Sequence, residues 1–359
     1  MRAVDALVVG AGPAGLACAT LLARRGLTVC AIEKREAPLD KACGEGVMPA
    51  GVRALAALGV EVGALRAAPF VGVRFIDGAR ETSGRFASGP GLGVRRTALS
   101  TALRACAEKA GAELRFDCAL ERFTADTSRV RAQTSQGELE ARVLIGADGL
   151  GSRVRAASAL AAPLPTRRRF GMRRHFRLAP WSEYVEVHWS EGVEAFVTPV
   201  ARDEVGIALL WSGSAARYDE LLTRFPALAM RVRGAEPASE VRGAGPFWQR
   251  ARRRCAGNSV ALLGDAAGYT DAVTGEGITL SLLCANALAD VIARGAPLAE
   301  YERAWARATR AHRAIAALLG FGVAHPRARR AAFRALSAQP RAFEILLRVA
   351  ASEEQPWRS

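Results

Sequence analysis

The period of the hydrophobic pattern changes along the chain, and those changes lay out an architecture. "VDALVVGAG" is a short apolar run ending in glycine, with Asp5 near its start, the pattern of a strand buried on both faces of a parallel sheet. "PAGLACATLLARRG" follows, with proline in its first turn and glycine at its end, and predicts a helix. "LTVCAIEK" reads as a second strand, closing a β-α-β unit. Residues 97–110 predict another helix, closed by Gly111, and "ELRFD" and "ARVLIGADG" predict further strands. Between those two strands the chain reads as a β-meander with turns at Ser128 and Gly137.

From 170 to 211 the pattern becomes alternating, through "GMRRHFRLAP", "EYVEVHWSEG" and "VEAFVTPVARDEVGIALLW". Successive alternating strands joined by short turns predict an antiparallel sheet. "ARYDELLTRFPALAMRVRGA" returns to helix, "NSVALLGDAAG" is a strand entering a glycine turn, and "GITLSLLCANALADVIARG" is a long helix. The remainder, 299–351, is helical and rich in arginine. The expected fold is α/β: a Rossmann-type nucleotide domain from 1–70, 90–165 and 255–300, an inserted antiparallel sheet domain from 71–89 and 166–254 that binds substrate, and C-terminal helices over 301–359.

Charge and cysteine content narrow the partners. The formal net charge is +15, and the only lysines are Lys34, Lys41 and Lys109. The arginines are scattered, with small clusters at Arg167–Arg169, Arg250–Arg254 and Arg327–Arg330, and no zinc-ligand spacing or stacking motif accompanies them. That pattern describes a basic surface and argues against nucleic-acid recognition. Seven cysteines, none in a C-x-x-C pair, read as reduced thiols of a cytoplasmic protein and provide no metal site. The N-terminus lacks the long apolar region of a signal peptide, and no apolar run is long enough to span a bilayer.

Gly10-Ala11-Gly12-Pro13-Ala14-Gly15 spells G-x-G-x-x-G between the first strand and the first helix, and Glu33 closes the next strand eighteen residues after Gly15, followed by Lys34. Gly10 permits the tight turn, Gly12 lets a pyrophosphate approach the backbone, and Gly15 lets helix and strand pack closely. The helix N-terminus offers N–H groups and partial positive charge to phosphate. Glu33 accepts from a ribose 2′-hydroxyl and disfavours a 2′-phosphate, so the bound dinucleotide is NAD-like or FAD. A second glycine run, "SGPGLGVRR", has the wrong spacing for another such site and reads as a loop and short strand leading to Arg96.

The stretch "GDAAGYTDAVTGEGI", residues 264–278, decides between the two dinucleotides. It resembles the second flavin fingerprint of the glutathione-reductase-type flavoproteins, in particular the FAD-dependent aromatic hydroxylases and the geranylgeranyl reductase group. The resemblance covers residues 1 to about 320. It implies that Asp265 binds the ribityl chain of FAD. It also implies that the segment Gly275-Glu276-Gly277-Ile278 opens a helix whose N–H groups meet the flavin's pyrimidine edge. "GADGLGSRVR" resembles the same family's D-G motif, placing Asp148 and Gly149 near the pyrophosphate, with Arg96 of "RTALSTAL" approaching the FAD from another side.

The loop "KACGEGVMP" is expected to cross the flavin, with Lys41 reaching phosphate and Gly44 and Gly46 allowing close backbone approach and positive φ. Cys43 stays open as an active-site residue, because in the reductase branch a cysteine here lines the substrate cavity. On "YVEVHW", Tyr184, Glu186 and His188 share one face, and His175 alternates with Arg173 and Arg177; none of these has a sequence neighbour that marks it as a base.

The halogenase W-x-W-x-I-P is absent, and "VEAFVTP" stands where the prenyl reductases have W-x-F-P. The first expectation is therefore an NADH- or NADPH-dependent FAD monooxygenase of secondary metabolism acting on an apolar aromatic, polyketide or terpenoid. Saturation of prenyl double bonds is the alternative. A flavin-binding protein with no catalytic role, or one held at a membrane surface by its C-terminal helices, is the non-enzyme alternative. Oligomeric state stays open.

Overall fold

The computed structural model describes residues 2–163, 168–269 and 275–350. Its first sheet runs in the order Cys255–Ala256, Val260–Leu262, Gly137–Gly146, Arg2–Val9, Val29–Ile32 and Glu113–Arg115. The four strands from Val260–Leu262 to Val29–Ile32 are mutually parallel. They carry the apolar runs because they are buried on both faces. Helix Pro13–Arg24 packs between the sheet and helix Gly277–Ala293. The meander Leu120–Ala125 and Val130–Thr134 pairs antiparallel onto the first half of Gly137–Gly146.

The second sheet has the order Arg242–Ala244, Arg169–Arg177, Glu204–Ser212, Val193–Ala201, Val185–Ser190, Gly72–Asp77 and Arg80–Arg85. All neighbours are antiparallel except Val185–Ser190 beside Gly72–Asp77. The chain thus makes the Gly72–Asp77/Arg80–Arg85 hairpin, returns to the nucleotide layer through strand Gly91–Val94 and helix Arg96–Lys109, and resumes the second sheet at Arg169. Strand Val193–Ala201 is buried along its whole length. Gly93 marks where the layers touch: a Cβ there would sit 1.7 Å from the carbonyl oxygen of Pro199.

One expectation changes in detail. "ARYDELLTRFPALAMRVRGA" forms two short helices, Tyr218–Leu222 and Pro226–Arg231, because Pro226 cannot continue the first and starts the second. Glu186 faces neither water nor the cleft. It is buried and accepts from the indole of Trp181 at 3.1 Å, with the His188 ring 3.0 Å away.

The tail is three helices, Ala299–Ala324, Pro326–Ala338 and Pro340–Ala350, the last two each begun by proline. They pack on the second sheet through Val323, Phe333 and Leu347, while Phe343 meets Phe75 edge-on at 5.2 Å. The opposite face leaves Leu318, Phe321, Ile345 and Val349 exposed. No helix among the described residues is long and apolar enough to cross a membrane.

Candidate active site

A cleft of about 600 Å³ lies between the two sheets. At its nucleotide end is the glycine turn. Gly10 has φ +108°, and a Cβ on it would lie 2.4 Å from the Ala147 carbonyl oxygen. A Cβ on Gly15 would lie 1.9 Å from the carbonyl oxygen of Gly10, so Gly15 serves helix–strand packing and does not line the cleft. Gly12 is different: nothing lies within 4 Å of its missing side chain, and it opens onto the cleft with Pro13 and Ala14. Glu33 is buried at the edge, its Oε2 accepting from the Ala11 N–H at 3.1 Å and its Oε1 from Arg35 at 3.3 Å. Lys34 stands beside it on the cleft wall.

Three distant segments converge farther in. Lys41 donates to Asp265 at 2.9 Å, and its Nζ is 3.3 Å from where a Cβ of Gly149 (φ +81°) would lie. Asp148 is occupied locally: it accepts from the Ser152 hydroxyl at 2.5 Å, the Arg153 N–H at 2.7 Å and the Val154 N–H at 3.2 Å. It therefore shapes the D-G turn and leaves Gly149 to face the cleft. Arg155, buried beneath, donates to the carbonyl oxygens of Asp265 and Ala266 at 3.4 and 3.0 Å. That ties the turn to the segment at 265.

Helix Gly277–Ala293 starts at the cleft, which Gly275, Gly277 and Ile278 line. Glu276 is the exception in this group. Its carboxyl turns away from the cleft to the His312 ring, 2.7 Å from Nδ1, and burial pushes its pKa up. It joins the helix start to the tail. Residues 270–274 of the second fingerprint, and Arg167 of the first arginine cluster, lie outside the described residues.

The loop "KACGEGVMP" departs from expectation at its centre. Gly44 and Gly46 do not adopt positive φ; the left-handed residue is Glu45, at φ 60°. A non-glycine residue is held there because its side chain is tightly engaged. One carboxylate oxygen accepts the backbone N–H of Arg96 at 2.8 Å, and the other bonds to His175. Cys43 lies half-buried on the cleft wall, its Sγ accepting the Glu45 N–H at 3.3 Å. Burial pushes its thiol pKa up, against the opposing pull of Arg96. Arg96 itself is buried and lines the cleft, with its Nε unpartnered among the described residues.

Sequence reading missed Glu45 and its partners. The glycines on either side of Glu45 drew attention to the backbone, and the partner of His175 is 130 residues away. The available signal was an acid in a loop otherwise built of small residues. The roof above this loop is mostly apolar, formed by Val185, Phe196, Ala208, Leu210 and Phe247, with Thr198 and Arg173 among them.

These residues fit FAD. Gly12 leaves space beside helix N–H groups, and Arg96 brings an unsatisfied buried donor to the same cleft, as an anionic dinucleotide requires. A dinucleotide cradle facing an apolar roof across a shared cleft defines an FAD-dependent oxidoreductase. Residues 3–209 match the family described as FAD binding domain, and the chain belongs to it. The chain is 28% identical over 352 residues to a menaquinone reductase of Mycolicibacterium smegmatis, with 89% of this chain and 82% of that protein covered. It is 32% identical over 178 residues to a kynurenine 3-monooxygenase of Xanthomonas oryzae, a match covering 45% of this chain and 39% of that one. Its fold is shared with a flavoprotein/dehydrogenase from Cytophaga hutchinsonii, at a TM-score of 0.85 and 20% identity, covering 98% of this chain and 93% of the other.

Proposed function

We propose that this protein is a flavin-dependent reductase that saturates a carbon–carbon double bond in an apolar, isoprenoid-type molecule, its FAD being recharged by NADH or NADPH. The observation that supports it most is the position of Cys43: a thiol kept protonated by burial, in the wall of a cleft whose roof is apolar. Saturating such a bond takes an electron pair with one hydrogen on one carbon and a proton on the other. FAD, when bound and reduced, supplies the first. Cys43 holds the proton at Sγ. The apolar roof excludes water, which favours a neutral acid over an ionised one.

The chain's own residues divide the binding work. Gly12 and the helix start behind it face the pyrophosphate, Glu33 the ribose, and Lys41, Asp265 and Arg96 the stretch leading to the ring. Gly277 and Ile278 present the N-terminus of a long helix, which favours negative charge on reduced flavin. The similarity to a menaquinone reductase over most of both chains supports the same reading.

Hydroxylation, with oxygen as co-substrate, is the second reading, favoured by the kynurenine 3-monooxygenase similarity. One experiment separates them. Menaquinol, whose ring can take no further electrons, is mixed with the dithionite-reduced protein without oxygen, and the product is weighed by mass spectrometry. A gain of two hydrogens supports reduction. No anaerobic reaction, with gain of one oxygen atom once air is admitted, establishes hydroxylation instead.

A further inference from the structure

Glu45 and His175 are both almost wholly enclosed, at 2% and 0% exposure. Glu45 Oε2 meets His175 Nε2, and the other face of the ring places Nδ1 2.8 Å from the Ser239 hydroxyl oxygen. Ser239 Oγ also accepts the backbone N–H of His175 at 3.2 Å and lies 3.4 Å from an Arg173 nitrogen donor, with the Glu240 carbonyl 3.1 Å away. Those two donors fill both lone pairs of the hydroxyl, whose single hydrogen can turn to His175 Nδ1 or to the Glu240 carbonyl.

Nε2 and the Glu45 carboxylate are bonded, and such a bond needs a hydrogen between them, whether it rests on nitrogen or oxygen. The pair holds one bridging proton. The charges around it are accounted for: Arg173 approaches Glu45 at 3.7 Å and pairs with Asp40, Asp40 also meets Arg242 at 3.5 Å, and nearby Glu204 is engaged by Arg95 and Arg66. Gly206 makes room for the pair, since a Cβ there would lie 3.2 Å from the His175 ring and 3.6 Å from the carboxylate. On one side Glu45 lines the cleft, two residues from Cys43. On the other, Ser239 is partly open to solvent.

We propose that Glu45 and His175 are the proton store of the active site, refilling the cleft acid after each turnover and themselves refilled past Ser239. The proposal rests on the reductase reading for the identity of that acid. In the balanced step, the substrate takes an electron pair and one hydrogen from reduced flavin and a proton from Cys43, whose S–H bond breaks. The thiolate then takes the bridging proton from the pair, and the pair takes one from solvent. His175 acts through Glu45 and is a positioning residue.

The test has two readouts. In proton NMR of the FAD-loaded protein, the bridging proton is expected as a far-downfield resonance, absent from His175→Gln and from Glu45→Gln. In single turnover with menaquinol under anaerobic conditions, His175→Gln is expected to oxidise its reduced flavin about tenfold or more slowly. Its rate should rise as pH falls, because solvent must then supply the proton directly. His175→Ala should regain rate with added imidazole. A His175 ring that titrates freely without a downfield proton overturns the proposal. So does His175→Gln with wild-type rate and an unchanged pH profile. If Glu45→Gln fails to fold, His175→Gln, which keeps a hydrogen bond to Glu45, decides alone. If wild-type reduced flavin is inert to menaquinol, the reductase reading fails, and the downfield resonance still decides whether the pair exists.

Discussion

Lys41 and Asp265 are 224 residues apart in the chain and 2.9 Å apart in the cleft. Each was expected to serve the cofactor separately, one at phosphate and the other at the ribityl chain. Instead they form a bridge that joins the "KACGEGVMP" loop to the turn before the last helix of the nucleotide domain.

The bridge is partly exposed, at 33% and 25% for its two side chains, so its own contribution to stability is about 0–1 kcal/mol. Asp265→Ala should therefore shift the melting temperature little while lowering FAD retention. Flavin absorbance after gel filtration, beside a thermal melt of the same sample, checks both. Full FAD occupancy in the variant would remove Asp265 from the cofactor's ligands.

The three glycines of the first turn should separate by mechanism. Gly12→Ala meets no neighbour and should fold normally but bind FAD more weakly. Gly10→Ala combines positive φ with a backbone clash, and Gly15→Ala clashes with the backbone of Gly10. Each should lose on the order of 2–4 kcal/mol, from strain and overpacking together. Urea unfolding of the three variants without flavin reads this directly; equal losses in all three would contradict the assignment.

Cys43 is expected to work as an acid, so activity should be present while its thiol is protonated and fall as pH rises through its pKa. Since burial raises that pKa, the fall should come above the ordinary thiol range. Cys43→Ala should slow single-turnover oxidation of reduced flavin by menaquinol about 10²-fold or more while FAD remains bound. Slow alkylation by iodoacetamide at pH 8 is the companion observation.

Alkaline stability should reflect the buried thiols. Cys18, Cys255 and Cys284 have pKa values pushed up to about 12 by burial. The unfolded chain ionises them near the ordinary value and the folded one does not. Their contribution is complete below the unfolded pKa and declines as pH climbs from there towards about 12. Each thiol should cost about 1.4 kcal/mol per pH unit in that window. Urea midpoints between pH 8 and about 10.5 test it, and Cys284→Ala should flatten the slope.

The parts of the fold legible in the sequence were those governed by local periodicity. The apolar runs at 6–9 and 260–262 appear as inner strands because burial on both faces leaves no polar position. The alternation from 170 to 211 appears as the second sheet, with Arg169–Arg177 alternating in burial and Val193–Ala201 buried throughout. The glycine turn was legible because a tight turn, an open approach and a close helix contact each demand a missing side chain at a fixed spacing. Glu276 was harder to read, since a residue between two cleft-lining glycines can point either way, and here it points to His312.

The sequence by itself therefore determined what depends on neighbours within a few residues: strand and helix periods, the phosphate-facing turn, the helix start at Gly277, and a loop bearing a thiol. Tertiary structure alone decided the electrostatics of the cleft. Glu45 meets His175 and Arg173 meets Asp40 only because a returning sheet lays residues from the middle of the chain over a loop near its beginning, and Lys41 meets Asp265 because the first sheet brings a late segment beside the same loop. Buried charges must find partners wherever the fold places them, and nothing in the local pattern around "KACGEGVMP" records that its acid belongs to a histidine on another sheet.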